Sequence, residues 1–356
     1  MKRVQIIVFF LISNIFLISN LFAQTDSTAS KETILYTLAY NEISGDCKIP
    51  LIGFVNVANA NHNGFQLGCV NVTQGNFSGL KLGFVDRTKG NMNGSQIGFL
   101  NFGSSNVEGL QLGFGNHSKQ NVMGSQIGFF NQINNSLNGL QLGFVNEVED
   151  NTRGAQIGFV NETYKNSQGL QLGFINETKG KASGWQVGFL NVADTLEKGV
   201  PIGFFSFIKK GGYRAIEMSS SELYPFNFSF KTGIPILYSF IQGSFNHNFK
   251  NQFAFGAGLG SLIHITGNFY FNPEATYHSS FRSDNPNATS LALNLKYSIS
   301  HNLQLAAGVS VVQLNYPKDG YQEPFFKIQK FEIDNRNSLL VGARFAITYN
   351  FTELNK

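Results

Sequence analysis

Apolar and polar residues alternate with a period of two in short segments that recur every 15 residues, eleven times, across residues 49–205. In residues 139–146, for example, Leu140, Leu142 and Phe144 alternate with glycine and glutamine. This alternation predicts a strand that has one apolar face and one small or polar face. The segments between are rich in Asn, Asp, Ser, Thr, Glu and Lys, which is typical of turns. A fixed period of this kind indicates a β repeat architecture.

One repeat reads Gly-x-Gln-(Leu/Ile/Val)-Gly-Phe-x-Asn, followed by seven mostly polar residues. The exceptions within this motif are Lys81 and Pro201 for glutamine, Asp86 and Ser206 for asparagine, and Cys69 for phenylalanine. None of the consensus residues is a general acid, a nucleophile or a good metal ligand. The motif is therefore expected to serve the structure, and no enzymatic activity is predicted from it.

Residues 211–356 lose the 15-residue period but keep the alternation in longer strands. The last strand places one apolar face on Leu339, Val341, Ala343, Phe345, Ile347, Tyr349 and Phe351. Earlier strands are predicted at residues 226–230, 236–245, 252–265, 268–281, 290–299 and 303–316. Short turns at 266–268 and 300–302, together with longer polar loops such as 282–287, are typical of outer-membrane barrels. A soluble sandwich would alternate in the same way.

The primary prediction for the fold class is an all-β, outer-membrane-type antiparallel β-barrel in which each repeat is one strand and one turn. Its motif is long enough for a tilted membrane strand. Leu-Gln-Leu units alternate with Ser-Gln-Ile units, as hairpins would produce, and residues 209–212 resemble a hairpin turn into the C-terminal strands. In this barrel Gly, Gln and Asn would face the lumen and Leu142 and Phe144 the lipid, so that lysine at either position should block membrane assembly.

The alternative is a parallel β-solenoid, with one coil per 15 residues, followed by a smaller C-terminal β-barrel. Identical residues would then stack into Asn, Gln and Phe ladders. The constant repeat length favours this architecture, because coils must stay in register. A second apolar position could supply the other wall, although Thr152, Ser167 and Ala182 interrupt it; its apolar members are Phe77, Met92, Val107, Val122 and Leu137.

The N-terminus predicts export from the cytoplasm. Basic residues Lys2 and Arg3 precede an apolar run that ends near Ala23, which indicates a cleaved signal peptide over residues 1–23. A polar linker is expected at 24–33, the repeat array at 34–210 and the C-terminal barrel strands at 211–356. After the signal, no stretch approaches the roughly 20 apolar residues of a spanning helix, so any membrane span would consist of strands.

The amino-acid composition limits the classes of function that the chain could have. Charged residues are only 13%, aromatic residues reach 14% and the net charge is +4, which is too small for a nucleic-acid-binding surface. The acidic cluster Glu147, Glu149 and Asp150 is expected to be a solvated turn rather than a cation site. Surface or turn positions are expected for the six histidines, which show no metal-ligand spacing: His62, His117, His247, His264, His278 and His301. No metal or cofactor is predicted.

Three further residues leave two interpretations open. Export permits a disulfide between Cys47 and Cys69. However, Cys69 occupies the phenylalanine position of its repeat, which favours a buried free thiol. Trp185 occupies a position that is otherwise small or leucine, where it could anchor the chain at a membrane interface or simply fill space.

The motif in residues 169–176, together with the segment 200–233 after the repeats, resembles a family of predicted bacterial surface-repeat proteins. The resemblance covers roughly residues 49–356 and implies a location in the cell envelope. The sequence therefore predicts a non-enzymatic envelope protein of a Gram-negative-type bacterium, in contact with outer-membrane lipid and with a structural or passive-pore role. The alternative function is a surface-exposed adhesin or binding module that uses the solenoid. No ligand-binding residue is predicted.

Overall fold

The computed structural model describes residues 34–246, 252–280, 287–315, 327–334 and 336–352. The predicted signal peptide and linker, His247 and nearly all of the predicted 282–287 loop lie outside these residues. The described part contains strands and turns but no helix, and therefore no helix long and apolar enough to cross a membrane. The prediction of an all-β protein is confirmed. The strands form two separate sheets.

The first sheet contains the repeats. Its strands are β1 (Ile34–Leu35), β2 (Tyr40–Ile43), β3 (Leu51–Ile52), β4 (Val55–Ala58), β5 (His62–Thr73), β6 (Phe77–Thr88), β7 (Met92–Gly103), β8 (Val107–Leu112), β9 (Gly115–Ser118), β10 (Val122–Ile127), β11 (Phe130–Ile133), β12 (Leu137–Leu142), β13 (Val145–Val148), β14 (Thr152–Ile157), β15 (Val160–Thr163), β16 (Ser167–Leu172) and β17 (Ile175–Lys210). Strand β17 is continuous over 36 residues and therefore follows the chain around more than two of the final coils.

Neighbouring coils pair in parallel with a register shift of one repeat. Gln126 lies opposite Gln141, and Asn131 lies opposite Asn146. The same shift holds from β2 to β17, and among the described strands of this sheet only the β1–β2 pair is antiparallel. The repeats therefore form a β-solenoid, as the alternative predicted. The primary prediction, an antiparallel barrel wall, is wrong for the repeats.

The second sheet is a closed antiparallel barrel. Its strands are β18 (Tyr213–Ser220), β19 (Phe226–Ile234), β20 (Leu237–Asn246), β21 (Gln252–Gly260), β22 (Ile263–Thr266), β23 (Phe269–Ser280), β24 (Asn287–Ser298), β25 (Leu303–Asn315), β26 (Gln329–Glu332) and β27 (Asn337–Asn350). Eight of these described strands form the wall, which closes between β18 and β27, while β22 and β26 are short additions to β23 and β27.

The strand predictions for this region agree with the wall except at β18, which was not predicted, and at 252–265, which the structure divides between β21 and β22. In β18 the inward positions Tyr213, Ala215 and Glu217 are all buried and mix aromatic, small and charged residues, so the apolar alternation is hidden. The predicted hairpin at 209–212 is also wrong. No pairing joins β17 to β18 in the described sheets, because the chain passes there from the solenoid into the barrel.

Candidate functional site: two apolar surfaces and a filled barrel

Two glycines in each repeat are required by the close stacking of the coils. Gly139, the leading glycine, has φ of +147°, and a Cβ there would lie 1.9 Å from the backbone oxygen of Gly124. At Gly143, the central glycine, a Cβ would lie 2.2 Å from the backbone oxygen of Gly128. Neither position has room for a side chain, and the first also needs a backbone conformation that favours glycine. The glycines of the motif thus set the geometry of the coil.

The asparagines form a hydrogen-bonded ladder inside the solenoid. Asn131 Nδ2 donates to Asn146 Oδ1 at 2.9 Å and to the backbone oxygen of Leu142 at 3.0 Å. Asn146 repeats the pattern toward Asn161 at 2.8 Å. These side chains are fully buried, so each amide must find its partners within the protein.

The glutamines form a second ladder that runs in the opposite direction. Gln141 Nε2 donates back to Gln126 Oε1 at 3.0 Å, whereas each asparagine donates forward. The predicted ladders are confirmed, but the predicted lumen-facing position of Gln and Asn is wrong. They lie in the closed interior beside small and apolar residues, where Thr152 and Ser167 bond to Thr163 and Thr178 and so continue the second wall.

Both ladders are interrupted in one coil, by Lys81 and Asp86. Lys81 Nζ donates to the backbone oxygen of Arg87 at 2.6 Å, and Asn71 Nδ2 donates to Asp86 Oδ1 at 2.7 Å. Asp86 Oδ2 and Asn101 Oδ1 are buried, and neither has a partner within the described structure. Burial raises the pKa of Asp86 to about 6 and lowers the pKa of Lys81 to about 7. A proton on Asp86 would let it donate to Asn101 and restore the ladder.

The outside of the solenoid carries a long apolar surface, here called the aromatic edge. It comprises a row of stacked phenylalanines and the apolar row that follows it in each coil. Adjacent rings of the first row stack with centroids 4.8–5.3 Å apart. The first row is Phe84, Phe99, Phe114, Phe129, Phe144, Phe159, Phe174, Phe189 and Phe204, and the second is Val85, Leu100, Phe130, Val145, Val160, Ile175, Leu190 and Phe205.

The aromatic edge is open to its surroundings. Phe144 is 44% exposed and Leu142 beside it is 40% exposed. The leucine and glycine rows next to the phenylalanines line a groove of about 630 Å³ that runs across several coils. Soluble monomers rarely expose a contiguous apolar surface of this length, so a partner or a lipid phase is expected to cover it.

The outer wall of the barrel is a second apolar surface. Outward residues of the strands are exposed and almost all apolar, whereas their neighbours are buried. The exposed set includes Phe228, Phe255, Leu259, Phe271, Leu291, Leu293, Leu295, Leu305, Val309, Phe345, Ile347 and Tyr349. An apolar band around a tilted barrel is the arrangement that hydrocarbon requires, because a closed barrel leaves no unpaired backbone group.

The barrel interior is filled by a buried ionic network. Glu217 accepts hydrogen bonds from Lys231, Lys296 and Arg344, each at 2.7 Å. Glu274 accepts from Lys231 and also from Arg344 at 2.6 Å. These charged side chains are at most 8% exposed and join strands on opposite sides of the wall. An eight-stranded barrel has an interior just wide enough for such side chains.

The last coil of the solenoid is capped by the β19–β20 hairpin. Ser206 N donates to Thr232 Oγ1 at 3.2 Å, and Ser239 Oγ donates to the backbone oxygen of Phe204 at 2.6 Å. Ile234 completes this cap by packing against Ala182, Ala193 and Ile208. The open edge of the parallel sheet is therefore covered by the barrel.

The residues considered as candidate sites do not converge. Asp150 pairs with Lys165 at 2.8 Å, and burial raises the pKa of Glu147 to about 7. His62 and His278 are buried, so the expected surface or turn position is wrong for these two. The structure brings no three potential metal ligands together within the described residues.

The two cysteines and the tryptophan occupy the solenoid. Cys47 and Cys69 are both free and partly exposed, so the predicted free thiol at Cys69 is confirmed but its predicted burial is not. Trp185 is 55% exposed, in the outward row just before the leucine row. The ionic network of the barrel and the electrostatic interaction of Lys81 with Asp86 were not predicted from the sequence. A signal for this interaction was present, because the two charged exceptions to the motif fall in one repeat.

Comparison with models of known protein families gives no match, and comparison with curated proteins also gives none. Among solved structures, neisserial surface protein A is similar to 39% of this chain and matches over 94% of its own length. The two are 10% identical and the TM-score is 0.23. A TM-score this low carries no argument, so the barrel described above rests on its own strand pairing.

Proposed function

We propose that this chain is a non-enzymatic outer-membrane protein in which the barrel anchors the solenoid to the envelope. The observation that carries this proposal is the outward face of the barrel, where Phe255, Leu293 and Ile347 are 45%, 43% and 55% exposed while the ionic network is buried in the interior. A water-soluble barrel would have the opposite arrangement. The predicted signal peptide and the family resemblance, both still predictions, favour the same location.

The connections between strands favour a periplasmic solenoid. Short turns follow Ile234 and Ser298 at one end of the barrel, where β18 begins and β27 ends. Longer connections lie at the other end, including the one from Asn315 to Asn337. Outer-membrane barrels have short periplasmic turns and longer extracellular loops. The solenoid joins the short-turn end through Thr232 and Ser239, which favours a structural role below the membrane over a surface adhesin.

We do not extend the proposal to a passive pore. The ionic network of Glu217 and Glu274 occupies the barrel interior, and its members are cross-linked by short hydrogen bonds. Conduction would require these pairs to separate, at a large cost for charges held in a low-dielectric interior. The role that the arrangement supports is anchorage, with membrane lipid as the partner of the barrel.

Two matched lysine substitutions test the proposal in a Gram-negative host that expresses the full chain. Leu293→Lys places a charge on the lipid face of the barrel, where it costs about 2–4 kcal/mol near the bilayer centre. It should abolish the folded, SDS-resistant band in the outer-membrane fraction. Phe144→Lys, on the solenoid, should leave that band intact. Recovery of wild-type protein in the soluble fraction, or normal assembly of Leu293→Lys, would overturn the proposal.

A further inference from the structure

We propose that the aromatic edge of the solenoid rests on the lipid surface of the membrane that the barrel spans, so that the solenoid lies along this membrane instead of projecting from it. The inference rests on the proposed membrane location of the barrel. The occupant of the edge is a phospholipid surface. The contacts between the last coil and the barrel wall carry the argument.

The junction fixes the direction in which the coils are stacked. In a parallel sheet, backbone N–H and C=O groups point toward the neighbouring strands. Phe144 O, for example, accepts from Val160 N of the following coil at 2.9 Å. In the last coil the equivalent oxygen, that of Phe204, accepts from Ser239 Oγ instead. The stacking direction therefore leads from the solenoid into the barrel at Ser239.

Ser239 and its cross-strand partner Thr232 lie on the outer face of the barrel wall. On β19, Lys231 points inward into the ionic network, so the next residue, Thr232, points outward. The coils therefore stack away from the outer wall of the barrel. Because that wall stands across the membrane, a solenoid that extends from its outer face runs along the membrane plane.

Two outward residues of β19 show which side of the solenoid faces the lipid. Phe230, nearer the middle of the wall, contacts Phe207 on the outer side of the last coil. Ile234, next to the turn, packs against Ile208 in the solenoid interior. The interior of the solenoid therefore lies nearer the end of the barrel that has the short turns. The outer side of the last solenoid strand, which carries Phe207, lies nearer the middle of the barrel and its apolar band.

The aromatic edge continues this contact along the solenoid. The rings of Phe204 and Phe205 lie 4.9 Å apart, and those of Phe205 and Phe207 lie 6.2 Å apart, so an aromatic path joins the edge to Phe230. Farther around the coil the surface becomes polar, where Lys179 pairs with Glu162 at 2.5 Å. An apolar strip bordered by charged residues is the pattern of a surface that sits in a membrane interface.

Tryptophan quenching by lipid tests the proposal on the full chain, reconstituted in phosphatidylcholine vesicles that contain brominated acyl chains. The natural tryptophan is first replaced, as Trp185→Leu, because leucine occupies the same position one coil earlier at Leu170. Three variants in this background then each carry one reporter. Phe144→Trp reports the aromatic edge, Arg153→Trp reports the exposed polar side, and Leu293→Trp reports the barrel wall.

The edge reporter should be quenched at least about twofold more than Arg153→Trp, since an aromatic ring at the interface contacts the acyl region. If Leu293→Trp is quenched but Phe144→Trp behaves like Arg153→Trp, the docking inference is wrong while the barrel proposal stands. A concentration-dependent dimer that shields Phe144→Trp from the bromine would also overturn it, in favour of a second copy. If Leu293→Trp itself is not quenched, the proposed membrane location fails.

Discussion

Phe207 in the last coil of the solenoid and Phe230 on the outer wall of the barrel lie with their ring centroids 6.4 Å apart. The contact joins the two apolar surfaces of the molecule into one. It lies beside the hydrogen bonds that Thr232 accepts and Ser239 donates, which cover the last open strand. An uncovered parallel edge is a template for aggregation, so the barrel also protects the end of the solenoid.

The double substitution Lys81→Gln with Asp86→Asn should stabilise the surrounding coils. It restores both amide ladders and removes the desolvation cost of two buried charges, which is several kcal/mol for each charge in a protein interior. Each single substitution should instead destabilise them, because it leaves the other charge buried without the opposite charge that interacts with it. Amide hydrogen exchange across residues 77–103 of the full chain measures the local stability of the double variant and of both single variants. Additive effects of the two substitutions would show that the two residues do not act as a pair.

The same coil should respond to pH. Since burial raises the pKa of Asp86 to about 6, the folded form binds a proton that the unfolded chain has already lost, and stability falls as the pH rises from about 4 to 6. Since burial lowers the pKa of Lys81 to about 7, stability rises again from about pH 7 toward 10. The local free energy of unfolding is measured by hydrogen exchange for wild type and for the double variant. The wild-type value minus the variant value should pass through a minimum near pH 6–7. A flat difference would refute this assignment.

A substitution of one glycine should unfold a coil locally. Gly139→Ala forces a Cβ against the backbone oxygen of Gly124 at a positive φ, and strain at such a position costs at least about 1–3 kcal/mol. Gly115→Ala is the matched control, because its Cβ would meet only the flexible end of Leu100 at 2.9 Å. Amide hydrogen exchange near residue 139 should be faster in Gly139→Ala, whereas exchange near residue 115 should change little in Gly115→Ala. Equal acceleration in the two variants would show that these glycines act only by making the chain flexible.

The barrel should depend on its interior network. Glu217→Gln removes one carboxylate and leaves Lys231, Lys296 and Arg344 poorly compensated, at a cost of about 3–5 kcal/mol. The temperature at which the folded band is lost in SDS should fall. Glu332→Gln, whose side chain is 78% exposed, is the control and should not shift that temperature. If both variants behave like wild type, the network contributes little to barrel stability.

Much of the fold follows from the sequence, because period-two alternation and a constant repeat length are local properties of the chain. The direction of neighbouring strands is not local. The alternation of Leu110 with Ser125 favours hairpins when only the sequence is considered, yet these residues lie side by side on adjacent coils. A large side chain next to a small one fills an outward row equally well in a parallel sheet, so this pattern could not distinguish the two folds.

The functional surfaces were only partly predictable. The outward position of Phe144 is predicted by the barrel interpretation, as a lipid-facing position, whereas the cap on Ser206 depends on Thr232, which lies outside the repeats. The network around Glu217 joins residues up to 131 positions apart, and no sequence spacing signals such contacts. Buried charges of opposite sign on separate strands become visible only when the wall closes.

The proposed topology is tested most directly by locating the two ends of the barrel relative to the membrane. Glu332→Cys, in the long connection between Asn315 and Asn337 where the Glu332 side chain is 78% exposed, and Lys198→Cys, exposed on the solenoid, are each introduced into a chain with Cys47→Ser and Cys69→Ala. Intact cells are then treated with a membrane-impermeant maleimide. A periplasmic solenoid predicts labelling of Glu332→Cys on intact cells and of Lys198→Cys only after the outer membrane is permeabilised. Labelling of Lys198→Cys on intact cells would contradict a periplasmic solenoid.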